Sequence, residues 1–581
     1  MDKLLQELKR RKVFRAAIVY AVVAWLLIQV ADTVLPALQL PEWTITFVIV
    51  LLILGFPLSM VLAWVFELTS EGLRHEKTTP SEIEIEESIN SGNDFSSTRV
   101  STDNATQRQR DEVDVKPCIA VLPFADMSQE KNQEWFSEGI TEEILNGLAK
   151  IPQLKVIART SSFALKDACL GVAEIGQKLN ATHVLEGSIR SSGTRIRVST
   201  QLGDTKDGAQ VWSDQFNDEL TDVFSVQEKI AAAISSALNI HLLPAHKKAQ
   251  LNQQVNPAAF KKYIQGRQYL NLVQLQPAIS YFEQAADLDP EFADSYGAMA
   301  RTHNLYIFFN QASWATKKDI VESNLSKALG IDPAQREALA VRASNLFFIE
   351  RKFQESINEF DRMIRLYPND TTAVSLYRNV LQATGYQDYA IRVANRMVEL
   401  DPLSPQAINY RGGVFLYRGE FDDAQRDFVE ATNLGAKIAQ SHANLAFLQH
   451  DSEGIDSQLD LIKAQLGENA YIGFKARSAF LGGSAESVHE ILSHINTDEY
   501  LSHSEKAIHY FLKADRKGFL SEFREALNAS EFYPFLRAHS ALELIYFDND
   551  LVNDHEYQNI LKEVGLDTVS LGKIRIPELP F

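Results

Sequence analysis

AAFKKYIQGRQYLNLVQLQPAISYFEQAADLDPEF, residues 258–292, decides how most of this chain is read. Gly266, Tyr269, Ala278, Phe282, Ala285 and Pro290 stand in it at positions whose counterparts return later as Gly412, Phe415, Ala424, Phe428 and Ala431. Prolines that end helices mark the same rhythm. Pro290, Pro333, Pro368 and Pro402 are spaced by 43, 35 and 34 residues, and one further step of 34 reaches Ala436. A 34-residue period is that of a helix-turn-helix unit stacked on its neighbours. Small residues let the paired helices approach and aromatics fill the gaps between them. The extra residues of the second unit fall between its helices, around Tyr306–Trp314. Beyond Ala446 the period fades, although helical segments continue.

The chain has 581 residues, enough for roughly four units at ~150 residues each. Its net charge of −19 argues against a broadly basic nucleic-acid binder, so no nucleic-acid partner is expected. Hydrophobic residues at 45% and charged residues at 23% exclude wholesale disorder. Cys118 and Cys169 are the two cysteines, too few for a disulfide framework or a four-thiolate zinc site.

Two apolar runs, residues ~16–38 and ~45–66, each approach the ~20 residues that cross a bilayer as a helix. They predict a two-helix transmembrane hairpin within residues 1–70, with membrane lipid as the partner of residues 16–66. Six Lys and Arg precede the first run, and the loop between the runs has neither. By the positive-inside rule both ends of the hairpin face the cytoplasm. Asp32 near the end of the first run can reach the interface, so a proton-relay role is not its simplest reading. Residues 71–115, rich in Ser, Thr and acids, predict a disordered linker, with phosphorylation or docking as the functional alternative.

Residues 116–243 have a different grain. KPCIAVLPFA reads as a buried strand, NQEWFSEGITEEILNGLAKI as an amphipathic helix, LKVIART as a second strand and VAEIGQKLNA as a second helix. Three strand candidates follow, with turn signals at Ser192-Gly193 and Asp207-Gly208, then a helix from about Leu220 to Leu243. That order implies a mixed sheet covered by helices. The fold class expected is therefore multidomain: a transmembrane hairpin, a mixed α/β domain, and an all-α superhelix of repeats.

IAVLPF, WFSEGITEEIL, LKVIARTSSF, THVLEGSIR, RIRVSTQL and GAQVWSDQF resemble the TolB amino-terminal-like domain, and the 34-residue units resemble tetratricopeptide repeats. The N-terminal runs resemble the membrane anchor of bacterial proteins with this architecture. The resemblance implies domains at 116–243 and 256–449, then degenerate helical repeats and a cap over 450–581, ending near His555–Leu566. It also implies a multi-pass protein of the bacterial inner membrane with its soluble domains in the cytoplasm. Some relatives carry a class III cyclase domain or a winged helix. Neither is seen here, so neither activity is carried over.

No phosphate-binding G-x-x-x-x-G-K-[ST] and no G-x-S-x-G nucleophile elbow occurs. His489 and His494 are five apart, and five residues turn ~140° around a helix, so their rings diverge. Thr160-Ser161-Ser162 offers hydroxyls to an anion, but capping the next short helix is the simpler reading. Nothing near Cys169 in sequence lowers a thiol pKa. No catalytic residue, cofactor or metal is expected. The function expected is a non-enzymatic scaffold that binds proteins or peptides through the repeat groove, in signalling or envelope assembly. A small-ligand sensor or enzyme with a pocket in 116–243 is the alternative. By the resemblance, the first helix of each repeat lines the concave face, which makes Asn345 and Asn409 candidate partner contacts.

Overall fold

The computed structural model describes residues 66–69, 72–75 and 116–581, except 129–133, 167, 169, 193–194, 220–222, 239, 241–254, 309–313, 496–501 and 530–552. Two compact units divide the chain, Met1–Gln109 and Arg110–Phe581. In the first, β1 (Phe66–Thr69) pairs antiparallel with β2 (Gly72–His75). The transmembrane hairpin is not carried forward. Residues 16–65 lie outside the described residues, Phe66 opens a strand, and no described helix is long and apolar enough to cross a membrane. The longest, Trp314–Ile331, has 18 residues and includes Lys317, Lys318, Asp319, Glu322 and Lys327, where a span needs ~20 mainly apolar ones. The multi-pass inner-membrane localisation is withdrawn with it. The expected lipid contact also falls outside the described residues.

The second unit begins with a small mixed sheet. Its elements are β3 (Cys118–Val121), β4 (Ala125–Asp126), α1 (Glu134–Ala149), β5 (Lys155–Val156), α2 (Arg159–Phe163), α3 (Val172–Leu179), β6 (His183–Ser192), β7 (Arg195–Asp204), β8 (Gln210–Glu219) and α4 (Val223–Ala237). The strand order is β5-β3-β6-β7-β8, with β4 beside β6. β3 runs parallel to both β5 and β6, and the β6–β7–β8 meander is antiparallel. Apolar residues alternate along β7, so Ile196, Val198 and Leu202 are buried against α1 and α4 while Arg195, Arg197 and Gln201 are exposed.

Helix pairs follow. They are α5 (Pro257–Asn271) with α6 (Leu275–Leu288), α7 (Ala293–Phe308) with α8 (Trp314–Ile331), and α9 (Arg336–Phe348) with α10 (Phe353–Leu366). Next come α11 (Thr371–Ala383) with α12 (Gln387–Leu400), and α13 (Pro405–Arg418) with α14 (Phe421–Asn433). Local chemistry starts these helices. Asn256 precedes Pro257 and its side chain accepts from the Ala258 N–H, Ser404 precedes Pro405 and accepts from Ala407, and Asp370 accepts from Thr372 and Ala373. Such caps satisfy donors the helix leaves open, and proline at the first helical position has no donor to lose.

Within a pair, glycine sets the approach. A Cβ on Gly266 would lie 2.5 Å from the Phe282 ring, and one on Gly412 would lie 2.6 Å from Phe428. Each described turn inside a pair has a residue at positive φ. Gly385 and Gly419 supply it in the fourth and fifth pairs, whereas Val273 and Arg351 adopt φ 57° in the first and third. A side chain at left-handed φ costs about 1–2 kcal/mol, most for a β-branched residue. Val273 is exposed, so little packing is at stake. Val273→Gly should therefore raise stability by about 0.5–1 kcal/mol, after the extra unfolded-state entropy of glycine is subtracted. Urea unfolding of the two proteins checks this, and a lower midpoint for the variant would count against it.

Beyond the fifth pair come α15 (Ala439–Leu448), α16 (Ser452–Asp456), α17 (Leu459–Leu466), α18 (Glu468–Leu481), α19 (Ala485–Ser493), α20 (His503–Leu512), α21 (Arg516–Asn528), α22 (His555–Glu563) and α23 (Thr568–Leu571). Positive φ recurs at His450, Gly483 and Ala514, the turns after α15, α18 and α20. The helix-pair device thus outlasts the sequence period. The chain end then folds back along α10 and α12. Gln354 pairs with both backbone groups of Arg575, Arg365 donates to the Glu578 carbonyl at 2.8 Å, and the Tyr386 hydroxyl donates to the Leu571 carbonyl at 2.9 Å.

Candidate functional site

The α/β module shares a core with the first two helix pairs. Phe136, Ile140 and Ile144 of α1 belong to the same buried cluster as Phe260, Tyr263 and Ile264 of α5. Gly139 permits the contact, since a Cβ there would meet Ile264 at 2.2 Å. The module rests on the turns between repeats. Asn369 donates to the carbonyls of Ala149 and Leu154 at 3.2 and 2.9 Å, and the Ala158 N–H donates to the Leu400 carbonyl at 2.7 Å. Ser161 donates from its hydroxyl and its N–H to Asp401 at 2.5 and 3.0 Å, and accepts from the Leu403 N–H at 2.8 Å. Ser161 lies inside α2, whose start has no side-chain cap. The Thr160–Ser162 triplet therefore docks the module rather than capping a helix.

A buried ion network crosses the same junction. Arg267 of α5 pairs with Glu142 of α1 at 2.5 Å and with Glu337 of α9, and Glu337 also takes Arg301 at 2.7 Å. Burial pushes the Glu337 carboxyl up, but Arg267, Arg301 and Arg336 outweigh it and hold its pKa at about 2. Beside this network is a cavity of about 90 Å³, lined by Glu143, Asn146, Lys150, Asp294, Gln335 and Arg336 among others. That volume is room for about three waters, well below a cofactor pocket.

Glu143 faces this cavity, and there Arg267 and Arg336 do not outweigh its burial. Burial, then the negative charges of Asp294 and Glu142, push its pKa up to about 7. Its folded pKa thus exceeds its unfolded one, so Glu143 subtracts stability as pH rises from ~4 to ~7, and by a constant amount above that. Glu143→Gln should remove that loss, a gain of about 2–3 kcal/mol at pH 8 that disappears by pH 4. Urea unfolding at both pH values measures it. Parallel pH profiles for the two proteins would contradict it.

The larger cavity, about 370 Å³, is a groove along the first helices of repeats two to five. Asn304 and Leu305 of α7, Ala340, Val341 and Ser344 of α9, Ser375, Leu376 and Asn379 of α11, and Gln406, Ala407 and Tyr410 of α13 line it. Small polar groups thus alternate with apolar ones, the surface an extended backbone needs for both hydrogen bonds and side-chain seats. The charges at its rim are engaged: Glu337 with Arg301, Asp370 with Arg336 at 3.4 Å, Asp401 with Ser161.

The two expected contacts sit one residue off this lining. Asn345 is buried beside Ser344, and Asn409, next to Tyr410, is half-buried and accepts from Ser441 at 2.9 Å. One residue is ~100° of helix rotation, which separates the groove wall from the adjoining pair. His489 and His494 each turn Nδ1 to a carbonyl of their own segment, Ala485 at 3.0 Å and Glu490 at 2.9 Å. Among the described residues no group of three His, Cys, Asp or Glu is placed to hold a metal. Cys118 is a buried free thiol whose pKa burial raises, and Cys169 lies outside the described residues.

The pairs alternate first and second helices, the first and fifth close on glycine–phenylalanine contacts, and the described turns within pairs each hold one positive-φ residue. This is an array of stacked helix pairs. No family model matches the chain. It is 33% identical over 220 residues, 37% of its length, to "Putative adenylate cyclase 3" of Rhizobium meliloti (strain 1021), and spans 36% of that relative. Two similar solved structures are Pseudomonas aeruginosa pilF and the type IV pilus biogenesis factor PilW. They are 18% and 17% identical, cover 38% and 36% of this chain and 97% and 94% of their own, each with a TM-score of 0.30. At those scores neither carries an argument, and the assignment of the array rests on this chain's own period and packing.

Proposed function

We propose that the chain is a protein-interaction scaffold whose groove takes an extended segment of a partner protein. The observation that carries this reading is the groove of about 370 Å³ formed by four successive first helices. In this reading the α/β module, with its TolB amino-terminal-like motifs, is a rigid buttress. Its docking on Asn369, Leu400 and Asp401 fixes the turns from which α11 and α13 start, and so the spacing of the groove walls. The domain limits 116–243, 256–449 and 450–581 are then boundaries of sequence pattern within one folded body. The scaffold is proposed to be non-enzymatic. The relative named as a cyclase is spanned over 36% of its length, too little to carry its activity here. A ligand-binding role for the module finds no support in the cavity beside α1, whose 90 Å³ holds only a few waters.

Blocking the groove tests the reading. Ser375→Trp, in the full chain, places an indole across the middle of α11 and should abolish co-purification of partners without lowering the unfolding midpoint. Gln354→Ala on α10, away from the groove, should leave partners bound. Equal recovery with wild type and Ser375→Trp would refute the proposal.

A further inference from the structure

The sheet of the α/β module ends on an edge that no described strand pairs with. β8 is the last strand in the order, is ten residues long and reads QVWSDQFNDE. The opposite edge, β5, has two residues. Alternate residues of β8 bond to β7, so the others turn N–H and C=O outward, a template for a further strand. Sheets usually blunt such an edge by short length, lysine or proline, and β8 has none of these.

The side chains of β8 define what fits beside it. On the face turned to the helices, Trp212 and Phe216 are half-buried against the core, opposite Leu202 and Val198. Asp214 stands between them, opposite Thr200, exposed and without an ion pair among the described residues. Its carboxylate accepts the N–H of Gln215 at 2.7 Å. Asp218, by contrast, is held by Lys229 of α4 at 2.7 Å. On the other face Gln215 donates to Ser199 at 3.2 Å and Asn217 accepts from Arg197 at 2.6 Å, so both side chains lean toward β7 and away from the edge. We propose that β8 takes an extended segment of a partner protein as an added strand, with a Lys or Arg opposite Asp214 and apolar residues opposite Trp212 and Phe216. Side chains on one face recur every second residue, so the segment reads apolar–x–basic–x–apolar. Main-chain hydrogen bonds hold it and the three seats select it. A second copy of this chain does not fit. The antiparallel register that seats Trp212 on Phe216 sets Asp214 against Asp214, and like charges directly opposite repel. This edge is distinct from the groove, and the inference does not rest on the groove reading.

The probe is a fluorescein-labelled, C-terminally amidated peptide, Gly-Thr-Val-Thr-Lys-Thr-Val-Thr-Gly, titrated against the full chain by fluorescence polarisation. Binding should saturate, and glutamate in place of the lysine should weaken it about 5-fold or more. Asp214→Lys in the protein should invert the preference, so that the glutamate peptide binds the variant more tightly than the lysine peptide does. Asp214 is exposed, so the unfolding midpoint should not change. If it falls, the lysine-to-glutamate change, made against the wild-type chain, decides. An added strand offers one edge to β8. N-methylation of the valine and lysine amides, or of the threonine amides between them, should therefore abolish binding for one set and leave it within about 3-fold for the other. Ser375→Trp, which fills the groove, should leave the peptide bound. Loss of the peptide with Ser375→Trp would place it in the groove and overturn the assignment to β8. Equal affinity of the lysine and glutamate peptides, equal effects of the two N-methylated sets, or no saturable binding would overturn it as well.

Discussion

Glu337→Ala should destabilise the full chain by about 3–5 kcal/mol, because it leaves Arg267 and Arg301 buried or half-buried without their shared anion. The loss comes from the stranded charges more than from the pair itself, which predicts a specific rescue. Glu337→Leu combined with Arg267→Met removes charge from both sides and should be less damaging than either single change. The carboxyl's low pKa gives the effect a pH signature. A group held at about 2 contributes stability that is fully present above its unfolded value of ~4 and lost as pH falls toward 2. Wild type should therefore weaken between pH 4 and pH 2 more steeply than the Glu337→Leu/Arg267→Met protein. Urea unfolding at pH 7 and through the acid range measures both effects. A single-variant loss under about 1 kcal/mol at pH 7 would show that solvent screens the network.

Phe282→Ala should cost a similar ~3–5 kcal/mol, and Phe428→Ala likewise, since each ring is buried between the helices of its pair. Phe282 sits 5.8 Å from Tyr263 and directly over Gly266. Gly266→Ala alone should also destabilise, because its methyl would meet the ring at 2.5 Å. In the Phe282→Ala background that methyl instead enters the space the ring vacated. The double variant should then be more stable than the two single losses sum to, by about 1 kcal/mol or more. Additive losses would mean the ring and the glycine do not meet. Neighbouring repeats depend on each interface, so partner binding should weaken although neither ring reaches the groove.

The array was legible because its determinants are local and repeat. Gly266 with Phe282, Gly412 with Phe428, and the prolines between pairs are each visible within one 34-residue unit. The module's mixed sheet was legible for the same reason, through alternation along β7 and the turn at Gly208, but its strand order was not. Neither was the way module and array meet. Ser161 and Asp401 are 240 residues apart, and neither has a sequence context that names the other. The ion network was equally hidden, since Glu142, Arg267 and Glu337 read singly as ordinary helix-surface charges. The period located the helices of the groove but not its phase: Ser344 and Tyr410 line the cavity, and Asn345 and Asn409 stand one residue away. The apolar N-terminal runs matched the length of a membrane span, but among the described residues Phe66 opens a strand and no helix could cross.

Site-specific photocrosslinking tests the central claim most directly. A benzoylphenylalanine at Ser375, in the groove, is compared with one at Arg362, exposed on the second-helix side of the third repeat. Irradiated cells should yield a crosslinked partner from position 375, mapped by mass spectrometry to one extended segment, and little from position 362. The same partner crosslinking at Arg362 and not at Ser375 would place the binding surface on the opposite side and contradict the account.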